Sequence, residues 1–210
     1  MNIIMKRENR GWQVVFSFLL ALLLLSFTGC SEDNTEEDEY ANWQKRNEEK
    51  TDQWAANANN GTYQKILTFT KDDSTPGLMN SDYIYYEVLE KGEGTESPIY
   101  TDTVRVAYRG RLIPTTNYSQ GYVFDETFLG DFDWTTAYMT DFAVSSVVTG
   151  FSTAVMNMHA GDHWRVYIPY QLGYGTTSSN SIRGYSNLTF DIALKAFWHP
   201  GEKVEKFKSR

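Results

Sequence analysis

The sequence predicts an α+β domain with a mainly antiparallel sheet and one short helix. Ahead of it stand a leader, an acidic tether and an N-terminal helix. Three observations support this. Several segments alternate apolar and polar residues with a period of two, as half-buried strands do. One short stretch, Phe151 to Met158, instead places Phe151, Ala154, Val155 and Met158 on one helical face. No strand–helix–strand repeat appears, which argues against a parallel sheet.

The chain opens with a basic cluster, Lys6, Arg7 and Arg10, followed by an apolar run from Trp12 to Phe27. That run is short of the roughly 20 residues a membrane-spanning helix needs. It has the pattern of a signal peptide over residues 1–29. Its end, Phe27-Thr28-Gly29-Cys30, resembles a bacterial lipoprotein processing site. The resemblance implies cleavage before Cys30, acylation of that cysteine, and a stable lipid anchor. Residues 30–39 are too acidic and too poor in apolar side chains to fold, and read as a hydrated tether. The stretch also resembles the acidic signals that follow the lipid-bearing cysteine in surface lipoproteins of the Bacteroides group. The implied place is the outer membrane, facing either the periplasm or the cell exterior.

Residues 40–77 are predicted as a helical extension. Tyr40 to Ala58 has no Gly or Pro and is rich in Ala, Glu, Lys, Gln and Arg, which favours a helix. Trp43, Asn47, Lys50 and Trp54 lie at helical spacing, so its apolar stripe is thin and expected to lean on the main domain or a partner. Gly61 is placed to end it, and Tyr63 to Thr70 reads as a turn or a strand. The main domain is predicted over 78–200, with residues 201–210 as a tail. Strands are expected at Tyr83 to Leu89, Thr103 to Leu112, around Val123-Phe124, at Phe142 to Val144, Trp164 to Ile168, and Leu188 to Leu194. In Thr103 to Leu112, Val104, Val106 and Tyr108 share one face, and Arg105, Ala107 and Arg109 the other. Gly161 is expected to end the short helix.

Composition excludes several classes. The chain has 19 basic and 27 acidic residues, a net charge of -8. Without the leader, which holds three basic residues and one acidic, 16 basic face 26 acidic, a net of -10. Nucleic-acid binding wants a basic footprint and is disfavoured. The lone Cys30 permits no intramolecular disulfide and no cysteine-based zinc cluster. His159 and His163 have zinc-like spacing, but Gly161 falls between them and no nearby glutamate completes a metalloprotease pattern. No metal and no cofactor are expected.

Six segments in order then carry a family resemblance. Val104 to Leu112 (VRVAYRGRL) resembles the V-x-V-x-Y-x-G-x-L strand of FKBP-type peptidyl-prolyl isomerases. Phe124-Asp125 matches the F-D that follows. Val147 to Phe151 resembles V-I-x-G-W, and Met158 to Gly161 the M-x-x-G after it. Ile168-Pro169 with Leu172 to Gly175 resembles I-P-x-x-L-A-Y-G, and Leu188 to Leu194 the closing L-x-F-D-V-x-L. The resemblance covers roughly residues 83–197. It implies a twisted antiparallel sheet wrapped around one short helix, with a pocket between them. Tyr108, Phe124, Asp125, Val147, Val148, Phe151, Tyr174, Ile182 and Phe190 are the implied site. Proline-containing polypeptides, exported or in the envelope, are the implied partners.

Departures from the family are specific. Phe151 stands where a tryptophan is usual, and Arg183 follows Ile182 where a proline is usual. The segments 113–122 and 129–141 are longer than the family's. Two further readings therefore stand beside the isomerase: a non-catalytic module of the same fold that holds protein chains, and a surface module using Tyr118, Tyr122, Trp134 and Tyr138 to bind protein or glycan. A pocket filled by Trp134 or blocked by Arg183 favours these; an open apolar cleft favours catalysis.

Overall fold

A computed structural model describes residues 39–203. The predicted leader, Cys30, the acidic residues 31–38 and most of the predicted tail lie outside the described residues. Among the described residues, no helix is long and apolar enough to cross a membrane.

The elements are α1 (Trp43–Asn59), β1 (Gln64–Leu67), β2 (Tyr83–Glu90), β3 (Thr103–Leu112), β4 (Val123–Glu126), β5 (Thr140–Ala143), α2 (Thr149–Val155), β6 (His163–Ile168) and β7 (Leu188–Trp198). The strands form one antiparallel sheet in the order β1-β2-β6-β7-β3-β4, with β5 also on β3. Short α2 is buried almost all round, from Gly150 to Val155, and its Ser152 and Thr153 hydroxyls donate to the Val144 and Thr149 carbonyls at 2.7 and 2.8 Å. It packs on the sheet face formed by Val104, Val106, Ile168, Leu188, Ile192 and Leu194. Gly150 permits the close approach, since a Cβ there would lie 2.3 Å from the Ile168 side chain.

The free edge of β3 is shared. Its C-terminal half pairs with β4 (Arg109 with Glu126, Gly110 with Asp125), and its N-terminal half with β5 (Val104 with Phe142, Val106 with Thr140). Between them the chain leaves the sheet, and Thr127 fills the gap. Its N–H donates to the Tyr108 carbonyl at 2.8 Å, and its Oγ1 accepts from the Tyr108 N–H at 2.9 Å. The long segment after Thr127 crosses to the opposite face of the sheet. There Phe128 and Met139 bury Ala107 and Ala193 in a second, smaller cluster.

β7 is therefore covered on both faces, although its alternation resembles that of a half-exposed strand. On the second face Asp191 is buried, accepting from Arg165 Nε at 2.6 Å and Arg111 Nη1 at 3.0 Å. Burial works against its charge, but the hydrogen bonds and charges of Arg165, then Arg111, outweigh it and hold the carboxyl below its ordinary range. One carboxylate thus ties β3, β6 and β7.

α1 leans on the domain through Trp43, Asn47, Thr51, Trp54 and Ala55. Thr51 takes the place expected for Lys50, because i, i+4, i+8 and i+11 keep the stripe straight. Asn47 is fully buried. Its Oδ1 accepts from the Asn187 N–H at 2.8 Å, and Asn187 Nδ2 donates to the Asn47 carbonyl at 2.7 Å. Trp43 Nε1 donates to Ser186 at 2.9 Å. The folded unit begins one residue before the predicted extension. Glu39, expected in the tether, accepts hydrogen bonds from Thr115 and from Asn117 Nδ2, the latter at 2.8 Å.

Two expectations for the helix differ. α2 starts at Thr149 and stops at Val155, although Met158 remains fully buried beyond its end. Gly161 does not cap it. With φ +92°, Gly161 instead lies against Gly92, whose Cα would be 2.9 Å from a Cβ at position 161. His159 and His163 consequently fall on a turn and on β6, not on one helix.

Candidate active site

A cleft of about 270 Å³ opens between α2 and the sheet, lined by Tyr108, Phe124, Asp125, Phe142, Ser146, Val147, Val148, Phe151, Tyr174 and Phe190. Each element contributes by its position. Tyr108 lies on the helix-facing side of β3, level with the gap between β4 and β5. Phe124 and Asp125 come from β4 and Phe142 from β5. Val147 and Val148 form the extended step into α2, and Phe151 sits in its first turn.

The floor is a set of aromatic rings meeting edge to face, the arrangement their quadrupoles favour. Phe151 meets Phe190 at 5.3 Å and 88°, and Tyr108 at 6.2 Å and 88°. Phe124 meets Phe190 at 5.5 Å and 87°. Gly110 makes room for this: a Cβ there would lie 2.5 Å from the Phe124 ring and 2.7 Å from that of Phe190.

Polar groups are few and lie at the rim. The Tyr108 hydroxyl donates to Asp125 Oδ2 at 2.5 Å. Burial first, then this bond and the Asp125 charge, push the Tyr108 hydroxyl above its ordinary range. Burial and Asp125 do the same to Tyr174. Both phenols stay protonated through neutral pH. Tyr174 is 41% exposed at the mouth of the cleft.

Eight of the nine predicted site residues line the cleft. Ile182 does not. It is 5% exposed, packs into the main core, and exchanges backbone hydrogen bonds with Ser179 at 2.8 and 2.9 Å. Phe142 and Ser146 line the cleft and were not predicted to. Phe142 was readable as a strand residue, but β5 is too short for its alternation to say which face it presents.

Neither predicted obstruction occupies the cleft. Trp134 packs on Phe132 at 4.9 Å and donates to Glu90 at 2.9 Å. Arg183 lies over the Tyr40 ring at 4.2 Å. Of the aromatics proposed as a separate binding surface, Tyr118 pairs with Tyr122 at 5.1 Å, Trp134 packs against the second cluster, and Tyr138 is exposed.

Residues 94–195 match the family of FKBP-type peptidyl-prolyl cis-trans isomerases. The domain is FKBP-like. The chain is 32% identical over 127 residues to the peptidyl-prolyl cis-trans isomerase Mip of Coxiella burnetii, covering 60% of this chain and 50% of that protein. It is 36% identical over 123 residues to the outer membrane protein MIP of Legionella longbeachae, covering 58% and 47%. It thus spans about half the length of these curated relatives. The crystal structure of FkpA from Escherichia coli superposes with a TM-score of 0.52 at 23% identity, over 91% of this chain and 74% of that one, a likeness of fold.

Proposed function

We propose that the FKBP-like domain catalyses cis/trans isomerisation of X–Pro bonds in exported or envelope proteins. The observation that carries this is the open, aromatic-floored cleft with its only polar groups at the rim. The X–Pro amide rotates over a barrier of roughly 20 kcal/mol, made by resonance between nitrogen and carbonyl. The twisted transition state loses that resonance and is less polar across the C–N bond. A water-poor site that holds the proline ring therefore binds it better than the planar ground state, and this difference is the catalysis. No bond breaks and no proton moves, so the site needs no nucleophile.

In this reading Phe151 and Phe190 floor the proline site, and Tyr108, Phe124, Val147 and Val148 wall it. Tyr174 donates to a substrate carbonyl, and Asp125 accepts at the rim. Phe142 joins the walls. The protein is held at the outer membrane through lipid on Cys30, and the similarity to a relative named as an outer membrane protein supports that placement. Intact mass of the membrane-extracted protein tests the anchor; an unmodified Cys30 would refute it. The non-catalytic reading draws on Phe151, whose phenyl ring is smaller than the family's indole.

Exchange spectroscopy on proline peptides with a hydrophobic residue before the proline decides between the two readings. Acceleration above the spontaneous rate is expected. Tyr174→Phe should lower it several-fold with an unchanged melting temperature. A spontaneous rate at high concentration of folded domain would remove the enzyme and leave the binding module.

A further inference from the structure

Among the residues lining the cleft, Asp125 alone is charged. It is exposed on β4, and one of its oxygens takes the Tyr108 hydroxyl. Among the described residues, no cation pairs with it. The arginines on neighbouring β3 are engaged elsewhere. Arg109 holds Glu126 at 2.6 Å and the carbonyls of Phe128 and Gly130. Arg105 holds Asp141 at 2.7 Å, and Arg111 holds Asp191. The other residues around the cleft, among them Phe142, Ser146, Val147, Val148 and Tyr174, carry no charge. The lining is therefore made of hydroxyls and apolar groups with one carboxylate. That carboxylate borders an apolar floor, where a charge is screened less than in open water.

Resting on the reading that the cleft takes proline peptides, we infer that it selects those with lysine or arginine next to the proline and disfavours those with aspartate or glutamate there. Asp125 is the specificity-determining residue. A peptide cation beside a seated proline ring falls within reach of the free carboxylate oxygen, while an anion there faces it uncompensated. The molecule's net charge of -8 acts in the same sense but from a distance.

The test uses peptides with Leu, Lys or Glu before the proline, and a second set with the same residues after it. Binding is followed by chemical-shift titration and turnover by exchange spectroscopy, for the wild-type domain and for Asp125→Asn. At low salt, the Lys peptide should bind about fivefold tighter than the Glu peptide in at least one set, with Leu between, as expected for an exposed ion pair of up to ~1 kcal/mol. The ratio should fall towards one in about 1 M salt, where the screening length is ~3 Å. It should also fall towards one in Asp125→Asn, whatever happens to the absolute rate. Equal binding of Lys and Glu peptides overturns the inference, and so does a ratio that survives in Asp125→Asn, since net charge would then be its source. Charge-selective binding without acceleration would refute the isomerase and leave the selection standing. Failure to bind any of the peptides would end both.

Discussion

Gly110 shows how one missing atom shapes a site. It sits between Tyr108 and Leu112 on the helix-facing side of β3, where a larger residue would fill the core. Its emptiness is occupied by the rings of Phe124 and Phe190. Gly110→Ala should push those rings apart, costing about 1–3 kcal/mol as overpacking does. Turnover should fall more than stability does, because the same rings line the cleft. Denaturant unfolding and peptide exchange on one preparation check this. The position was legible as part of a strand motif, but its reason was not: no local pattern announces which two rings will meet over a strand. Phe142 was illegible for the same cause, and Ile182 was misplaced because a loop residue has no periodicity to fix its direction.

At the scale of elements, the notable coupling is between α1 and the loop ahead of β7. Amphipathic spacing made α1 legible, and its thin stripe pointed to docking. What the spacing could not give is the landing place, which depends on the buried amides of Asn47 and Asn187. Asn187 also accepts from the Tyr170 N–H at 2.9 Å, so it joins α1 to both ends of the loop that bears Tyr174. Asn187→Ala keeps the backbone bond to Asn47 Oδ1 but should leave the Tyr170 N–H unpaired in the interior and remove the amide donor to the Asn47 carbonyl and Thr51 Oγ1, costing about 2–3 kcal/mol. Amide hydrogen exchange across residues 170–187 should rise. Unchanged protection there would show that α1 does not brace the loop.

For the whole molecule, two histidines shape the response to pH in opposite senses. His199 Nδ1 lies 2.9 Å from the buried Asp102, and that hydrogen bond, then the Asp102 charge, raise its pKa above the ordinary 6.5. Its contribution is complete below about 6.5 and is lost as pH rises through the raised value. His163 packs against Phe132 at 4.5 Å with the rings tilted by 50°, and burial lowers its pKa below 6.5. Its neutral form favours the fold above about 6.5, and that advantage is lost as pH falls through the window beneath. The melting temperature should therefore fall on both sides of a maximum near pH 6.5. His199→Ala should flatten the alkaline side and His163→Phe the acid side between pH 5 and 8. Profiles unchanged in both variants would contradict the assignment.

The order of the strands bears on how this protein can be divided. The stretch matched by the family begins at residue 94, after β2 has ended. An expression clone cut there would lack β1, β2 and the helix that braces the Tyr174 loop. It would lay bare the edge of β6 that pairs with β2 from His163 to Tyr167, leaving only the β7 edge paired. A strand stripped of its neighbour offers an open row of N–H and C=O groups to any other chain. Such a fragment should accumulate as insoluble material, whereas one starting at residue 39 should elute as a discrete species in size-exclusion chromatography. On this expectation the smallest autonomous piece is larger than the stretch matched by the family, because strands upstream of that stretch complete the sheet beside β6.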